Sequence, residues 1–344
     1  MKILFLGETY RADAKTWIEG IETFSGAKID TMEVPFSPKR WKRISLFLLF
    51  LVQLIRLRTQ KSFDIVLAER ATSYGFFSLL VKARVKVVAQ QGITDAFPEE
   101  GFTGLYKRFF QRRVYKNVDL IHAWGHVMTY AMLESGAAPS KIMVLPKGIN
   151  LQRYTFSEKH EFNSTPIGIV TRSLSDIYRH DIILQSLAIL KEKGIEVKLR
   201  VVGDGVLMED LKLLAKNLQI SNQVMFLGRV DNDKLPVLLN DSDFYVAIPE
   251  TEGVSASLFE AMAGGCFPIV TDLPSNRAFI RPGQNGLLVP SGDAQKLADA
   301  IELFLASRSK FTEYVRENRA YIESEVDFNK NMEIIWSRYQ QLLK

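Results

Sequence analysis

Short apolar segments recur along the chain, and each is followed by a helical pattern or a turn. Ten of them are predicted as strands: Lys2–Leu6, Asp64–Ala68, Val85–Gln90, Leu120–Ala123, Met143–Leu145, Ile167–Val170, Lys198–Val202, Val224–Leu227, Phe244–Ile248 and Phe267–Thr271. The segments Asp181–Lys193 and Met208–Asn217 carry apolar residues at helical spacing. Apolar strands that alternate with amphipathic helices are typical of parallel sheets covered on both faces. The pattern therefore predicts an α/β fold.

The alternation is interrupted once, which divides the chain into two domains. Its 344 residues are about twice the usual length of one domain. The polar stretch 150–166 has neither a strand nor a helix period and is interpreted as a linker. We expect an N-terminal domain at 1–155, a second domain at 156–325 and a C-terminal helix at 326–344. That helix can pack back on either domain, with the N-terminal one as the first candidate.

Composition is that of an ordered protein, with 47% hydrophobic and 24% charged residues. The single Cys266 excludes an intramolecular disulfide and fits a reducing compartment. The first apolar run, MKILFLG, is too short for a signal peptide, so a cytoplasmic location is expected. His122 and His126 lack the carboxylate of a zinc motif, and no metal is predicted.

The positive charge is concentrated in one segment. Residues 39–61 contain seven lysines and arginines and no acid, around an uncharged core at 44–55. That core would form about 18 Å of helix, too short to cross a bilayer. Two interpretations stay open: a buried helix with basic ends, or an interfacial helix with Trp41 and its Phe/Leu face in an anionic membrane. The second is slightly favoured, and a nucleic-acid partner is not expected.

The strongest chemical signal is PETEGVSASLFEAMAG at 249–264, directly after the apolar strand FYVAI. Gly253 permits close backbone approach. The amides of Val254, Ser255 and Ala256 would begin a helix and could hold a diphosphate. Glu260 could accept hydrogen bonds from a ribose diol, and Glu252 would face the group beyond the phosphates. The alternative is a capped helix whose glutamates face solvent.

This segment resembles the Glu-x7-Glu motif of retaining glycosyltransferases of the GT-B fold, family 4 (glycosyl transferases group 1). The similarity extends to VVGDG at 201–205, VMFLGRV at 224–230, residues 274–301 and KIMVLPKGINLQRY at 141–154. It covers roughly residues 64–320. The resemblance implies two Rossmann-like domains facing each other across a cleft. It also implies transfer of a sugar from a UDP- or GDP-sugar to a hydroxyl acceptor, with retention, in cell-surface polysaccharide or glycolipid assembly.

The resemblance also implies roles for donor-site residues. Glu260 would bind the ribose, Glu252 the donor sugar, and the amides of 254–256 the distal phosphate. Arg172 matches the arginine that grips the diphosphate, which a guanidinium fork suits chemically.

Other donor-side positions match the family less closely. Arg229 and Val230 stand where its backbone contacts the base. Arg179 stands where the family has a lysine; it either replaces that cation or is a surface residue at a helix start. Gly203 lies in a Gly-Asp-Gly turn that lacks the third glycine of a dinucleotide fingerprint.

The N-terminal domain would supply the acceptor site. Gly7, Glu8 and Tyr10 follow the first strand, at the carboxyl end where open α/β sheets bind ligands. Gln91 stands where the family frequently has a histidine; it can hydrogen-bond but cannot act as a base near neutral pH.

Metal-independent transfer is predicted because nothing in the chain resembles a metal-binding Asp-x-Asp on a strand end flanked by carboxylates. The acceptor hydroxyl would attack on the face that the nucleotide leaves, and the departing phosphate would take the proton. We expect a nucleotide-sugar donor, a lipid-linked or glycan acceptor, and a peripheral position on the inner face of the cell membrane. Two alternatives stay open: a non-hydrolysing sugar-nucleotide epimerase, and a non-enzymatic membrane-associated binding protein.

Overall fold

Two structural units make up the chain in the computed structural model, which describes residues 1–35, 37–90, 92, 102–156, 163–307 and 310–344. Unit 1 comprises Met1–Gly148 and Phe328–Lys344, and unit 2 comprises Ile149–Asp327. The first division therefore falls seven residues before the predicted boundary at 155/156. Ile149 donates its amide to Val326 O at 2.8 Å, and Tyr154 is buried in the core of unit 2. Residues 149–156 thus start unit 2.

Unit 1 is built on a six-stranded parallel sheet in the order β2-β1-β3-β4-β5-β6. Its strands are β1 Ile3–Leu6, β2 Ile29–Met32, β3 Phe63–Glu69, β4 Ala83–Gln90, β5 Leu120–Ala123 and β6 Ile142–Val144. Its helices include α1 Ala12–Ser25, α2 Arg40–Gln60, α3 Tyr74–Ser78, α4 Phe102–Asn117, α5 Thr129–Glu134 and the C-terminal Phe328–Leu343. The C-terminal helix packs against α1 with its face of Met332, Ile335, Trp336 and Tyr339 buried.

Unit 2 has a second six-stranded parallel sheet, in the order β12-β11-β10-β7-β8-β9. Its strands are β7 Ile167–Thr171, β8 Lys198–Val202, β9 Val224–Gly228, β10 Phe244–Ala247, β11 Phe267–Thr271 and β12 Leu287–Val289. Its helices include α6 His180–Glu192, α7 Met208–Asn217, α8 Leu235–Asn240, α9 Ala256–Ala263, α10 Pro274–Arg277, α11 Ala294–Ala306 and α12 Phe311–Glu325. Buried apolar side chains cover both faces of this sheet.

These sheets confirm the predicted α/β class with two Rossmann-like domains. Each of the ten predicted strands corresponds to an observed one, whereas β2 and β12 were not predicted. Both are short strands at the edge of their sheets, and two of the four residues of β2 are exposed. The exposed positions interrupt the apolar pattern of β2, and β12 is an apolar run of only three residues, shorter than the roughly four to eight residues by which a strand is identified.

Helix α2 is only partly buried. Phe50 and Leu54 pack into the core of unit 1, whereas Trp41 is 84% exposed, and Leu48 and Ile55 are also exposed. Among the described helices, none is long and apolar enough to cross a bilayer.

Candidate functional site

The candidate donor site lies where the sheet of unit 2 changes its direction of winding. From β7 the chain continues outward to β8 and β9, whereas β10 returns to the other side of β7 and continues to β11 and β12. The loops that follow β7 and β10 therefore lie side by side, at the carboxyl ends of adjacent strands. This switch point is where open α/β sheets bind ligands.

Arg172 and Glu252 meet at this switch point, one from each loop. The guanidinium Nη2 of Arg172 donates to Glu252 Oε2 and to Ser255 Oγ. Both charged side chains are only 13% exposed. The ring of Tyr178 lies beneath the guanidinium, with 5.2 Å between its centroid and Arg172 Cζ.

Burial perturbs the pKa of both partners. Burial raises the pKa of Glu252 above its ordinary value, and the neighbouring Arg172 opposes that shift without cancelling it. For Arg172, burial lowers the pKa, but Tyr245 and Glu252 outweigh burial and hold the guanidinium charged. Arg172 Nε is buried and has no hydrogen-bond partner within the part of the chain that is described. The cation therefore keeps a donor that a further acceptor could use.

Helix α9 begins at the same place. Ser255 is its N-cap and accepts a hydrogen bond from Leu258 N at 3.2 Å. Between the described residues, no hydrogen bond leads from the amides of Val254, Ser255 or Ala256. Gly253, just before them, is buried. Free amides at the positive end of a helix dipole, beside a guanidinium, form a site for a phosphate-sized anion.

Glu260 lies one turn further along α9, where burial raises its pKa. The hydroxyl of Tyr154 donates to this carboxylate and partly opposes the shift. The sequence offered no role for Tyr154, although it stands in the 141–154 phrase that resembles the family. A buried carboxylate with remaining acceptor capacity is suited to a pair of hydroxyl groups.

Gly203 contacts the loop that carries Arg172. Its φ is +145°, and a Cβ there would lie 2.0 Å from Arg172 O. At Gly205 a Cβ would lie 2.3 Å from Leu174 O. Only glycine permits this approach of two backbones. Gly203 therefore positions Arg172 by packing directly against its backbone carbonyl.

Arg179 is engaged in ion pairs. It has left-handed backbone geometry at the start of α6 and donates to both carboxylate oxygens of Asp181, at 3.0 and 3.1 Å. It also donates to Glu250 at 3.0 Å. Arg229 is exposed beyond β9, and Val230 packs at the edge of the unit 2 core.

Unit 1 has an equivalent switch point between β1 and β3. Here Glu8 lies 2.7 Å from Arg70 Nη2, and the amide of Glu8 donates to the buried Glu69 at 2.9 Å. Partial burial alone would raise the pKa of Glu8, but the effect of Arg70 is larger, so the pKa is lowered. A Cβ on Gly7 would lie 2.7 Å from Glu69 Oε2, so this loop also needs a glycine. Glu69 and Arg70 were not predicted as site residues, although both directly follow a predicted strand.

A cavity of about 580 Å³ opens beside this loop. Glu8, Tyr10 and Tyr74 line one side, and Arg43 and Phe47 of α2 line another. It therefore joins the predicted acceptor loop to the basic apolar helix. The predicted Gln91 lies outside the described residues.

Comparison with solved structures defines the class of fold. Anabaena Alr3699/HepE, crystallised with UDP and glucose, is 16% identical and superposes with a TM-score of 0.78, over 99% of this chain and 100% of that one. The chain thus has the GT-B fold of glycosyltransferases.

Comparison of sequences finds similarity to one family of proteins. Residues 153–321 match the model of the glycosyl transferases group 1 family. The putative colanic acid biosynthesis glycosyltransferase WcaL of Escherichia coli is 25% identical over 240 residues, 67% of this chain and 57% of that protein. The lipopolysaccharide core biosynthesis glycosyltransferase LpsE of Rhizobium meliloti is 31% identical over 147 residues, 43% of this chain and 42% of that protein. The chain spans about half the length of the curated relatives it matches.

Proposed function

We propose that the protein is a retaining, metal-independent glycosyltransferase of family 4. It would move a hexosyl group from a UDP- or GDP-sugar to a hydroxyl acceptor during assembly of a cell-surface polysaccharide or glycolipid. The observation that carries this proposal is the meeting of Arg172, Glu252 and the amide end of α9 at the switch point of unit 2.

The donor would be held by its phosphates. A diphosphate at the N-terminus of α9 accepts hydrogen bonds from the amides of 254–256 and replaces Glu252 as the partner of Arg172. Glu252 is then released to accept hydrogen bonds from the sugar, and Glu260 accepts them from the ribose. The backbone of Arg229 and Val230 would contact the base. Arg179 supplies a second cation only if the donor displaces Glu250 or Asp181.

The same groups would stabilise the leaving group. The acceptor oxygen forms a bond to the anomeric carbon while the bond from that carbon to the phosphate oxygen breaks. The departing diphosphate takes the proton of the acceptor hydroxyl, on the face where the new bond forms. Arg172 and the α9 amides stabilise the charge that develops on the diphosphate, so the reaction needs no metal.

The relatives and neighbours support this assignment. HepE was crystallised with UDP and glucose, and the names of WcaL and LpsE describe colanic acid and lipopolysaccharide core biosynthesis. Neither alternative, an epimerase or a non-enzymatic binding protein, is favoured by these matches.

The acceptor would be lipid-linked, or a glycan carried on a lipid. The cavity beside Glu8 and Tyr10 is continuous with Arg43 and Phe47 of α2, so a ligand there contacts both. The exposed Trp41 and the basic residues of 39–61 suit the surface of an anionic bilayer. The protein would therefore work in the cytoplasm, peripherally on the inner face of the cell membrane.

A thermal-shift screen against UDP, GDP, ADP and their sugar conjugates, with and without EDTA, tests the donor site. One nucleotide should raise the melting temperature, because a ligand that binds only the folded state stabilises it by mass action. The shift should persist in EDTA and be lost in Glu260→Ala. No shift with any nucleotide would refute the proposal.

Incubation with the labelled donor and a membrane lipid extract then tests the reaction. Label should move to lipid with retained anomeric configuration, as read by NMR. Interconversion of the sugar nucleotide without an acceptor would indicate the epimerase instead.

A further inference from the structure

We propose that helix α4, Phe102–Asn117, is a second membrane-binding element that forms one continuous surface with α2. This proposal rests on the membrane association proposed above and extends it to a second helix of unit 1. The partner of this surface is an anionic phospholipid bilayer.

Helix α4, like α2, carries basic residues and no acidic ones. It contains Lys107, Arg108, Arg112, Arg113 and Lys116 and no acidic residue. Together with segment 39–61, it holds 12 of the 44 lysines and arginines of the chain. The remaining 32 basic residues are outnumbered by 39 acidic ones. The net positive charge of the protein therefore comes from these two segments, whose charge is complementary to an anionic surface.

Large apolar side chains project beside these cations. Leu105 and Phe109 are 61% and 65% exposed, and Tyr106 is exposed as well. Arg112 and Arg113 continue the same face of the helix, three and four residues beyond Phe109. The opposite face is fully buried at Val114 and Tyr115. A helix that already buries one face needs no apolar side chains on the other, whereas a membrane-surface helix does.

A series of ring contacts joins the two helices. Phe47 of α2 lies 5.7 Å from Phe77 of α3, and Phe76 follows at 6.3 Å. Phe76 lies 4.5 Å from Phe110 of α4, and Phe110 lies within 6.1 Å of the exposed Tyr106. The rings of Phe47, Phe77, Phe76 and Phe110 are all half-buried or exposed. The apolar surface is therefore contiguous from α2 through α3 to α4.

A bilayer fits this surface better than a second copy of the chain. Two copies meeting through this face would bring 24 cations together without a single acid from the two segments, and like charges repel. An anionic bilayer offers both partners at once, with headgroups for the cations and acyl chains for the rings.

Flotation of the full chain with vesicles tests the proposal. The vesicles contain phosphatidylcholine alone or with about one-third phosphatidylglycerol. The α4 variants are Leu105→Ser/Phe109→Ser and Arg112→Ala/Arg113→Ala. We expect the wild type to bind the anionic vesicles and to be released by high salt. Each arginine removed should lower the partition coefficient about fivefold, and thus the pair roughly 25-fold.

Matched control variants lie in unit 2. Leu213→Ser removes a side chain that is 57% exposed on α7, and Lys212→Ala/Lys216→Ala removes two cations from the same helix. Both should bind vesicles as the wild type does. An unchanged urea transition in tryptophan fluorescence, which follows unit 1 because all four tryptophans lie there, shows that the α4 variants are folded.

The results distinguish the role of α4 from membrane association of the protein as a whole. If the α4 variants bind like the wild type while Trp41→Ser/Leu48→Ser in α2 does not, the role of α4 is refuted and membrane binding through α2 stands. If the wild type does not float, membrane association itself fails, whatever the nucleotide screen shows. Self-association that the α4 variants abolish, measured by light scattering, would overturn the proposal in favour of a second copy.

Discussion

Removing Arg172 should destabilise unit 2 more than removing Arg172 and Glu252 together. The variant Arg172→Met keeps most of the side-chain volume but deletes the guanidinium. It leaves Glu252, 13% exposed, without its cation. Because burial already raises the pKa of Glu252, the variant should raise that pKa further.

The magnitude follows from the burial of the pair. Breaking a buried ion pair by removing one partner costs about 3–5 kcal/mol, because the other charge stays buried. Both side chains retain some solvent contact, so we expect a loss near the lower limit, about 3 kcal/mol. The double variant Arg172→Met/Glu252→Gln leaves no charge behind and should lose only about 1 kcal/mol. Adding Glu252→Gln to the Arg172→Met variant should therefore restore about 2 kcal/mol.

Urea denaturation can assign this loss to unit 2. All four tryptophans, Trp17, Trp41, Trp124 and Trp336, lie in unit 1. Tryptophan fluorescence therefore follows unit 1, whereas circular dichroism follows both units. In the Arg172→Met variant, the unfolding transition of unit 2, seen by circular dichroism, should move to lower urea concentration. The transition seen by tryptophan fluorescence should not change. Arg229→Met, which removes an exposed arginine of the same unit, should shift neither.

Two results would refute this reasoning. A double variant as unstable as Arg172→Met would mean that the arginine stabilises by packing rather than by pairing. Stabilisation of either variant by UDP or GDP to the wild-type extent would remove Arg172 from the donor site.

Three further predictions concern single residues. Glu260→Gln should raise the free energy of unfolding of unit 2 at pH 8 by about 1 kcal/mol while abolishing nucleotide stabilisation, because burial disfavours the charged carboxylate. A folded state with a raised carboxyl pKa binds more protons than the unfolded state, so wild-type stability falls as pH rises above about 4.3. The stability gained in Glu260→Gln should therefore vanish below about pH 4, where the wild-type carboxyl is protonated in both states. Gly203→Ala should cost about 3 kcal/mol and weaken nucleotide binding, because its methyl would lie 2.0 Å from Arg172 O. Its control Gly194→Ala, at φ +75° with open space around it, should cost about 1 kcal/mol in the same denaturation experiment. Burial lowers the pKa of His122 to about 4, so the free energy of unfolding of unit 1 should fall by about 3 kcal/mol as pH falls from about 6.5 to 4. The variant His122→Gln should show a weaker pH dependence when unfolding is followed by tryptophan fluorescence.

Each of these predictions has a contradicting result. A gain in Glu260→Gln that persists at pH 4 would mean that the charge of the carboxylate is not the cause. Equal losses in the two glycine variants would mean that backbone conformation alone, and not contact with Arg172, makes Gly203 necessary. An unchanged acid dependence in His122→Gln would assign it to other groups.

The local features of this protein could be predicted from its amino-acid sequence. Strand and helix periods follow from the burial of each element, so ten strands were predicted and confirmed. The half-exposed β2 and the three-residue β12 were missed. The helix N-terminus at Ser255 and the spacing of Glu252 and Glu260 lie within one continuous segment, where chain geometry alone places them together.

Contacts between residues that are distant along the chain could not be predicted in this way, because they depend on how the strands are ordered in each sheet. Arg172 and Glu252 are 80 positions apart and come together because β10 returns beside β7. Glu8 and Glu69, 61 positions apart, meet because β3 returns beside β1. The order of strands in a sheet depends on the packing of the whole unit, and no local period encodes it. The exposure of α2 and α4 depends on packing in the same way, since the sequence shows that a helix is apolar and basic but not which of its faces the core leaves to solvent.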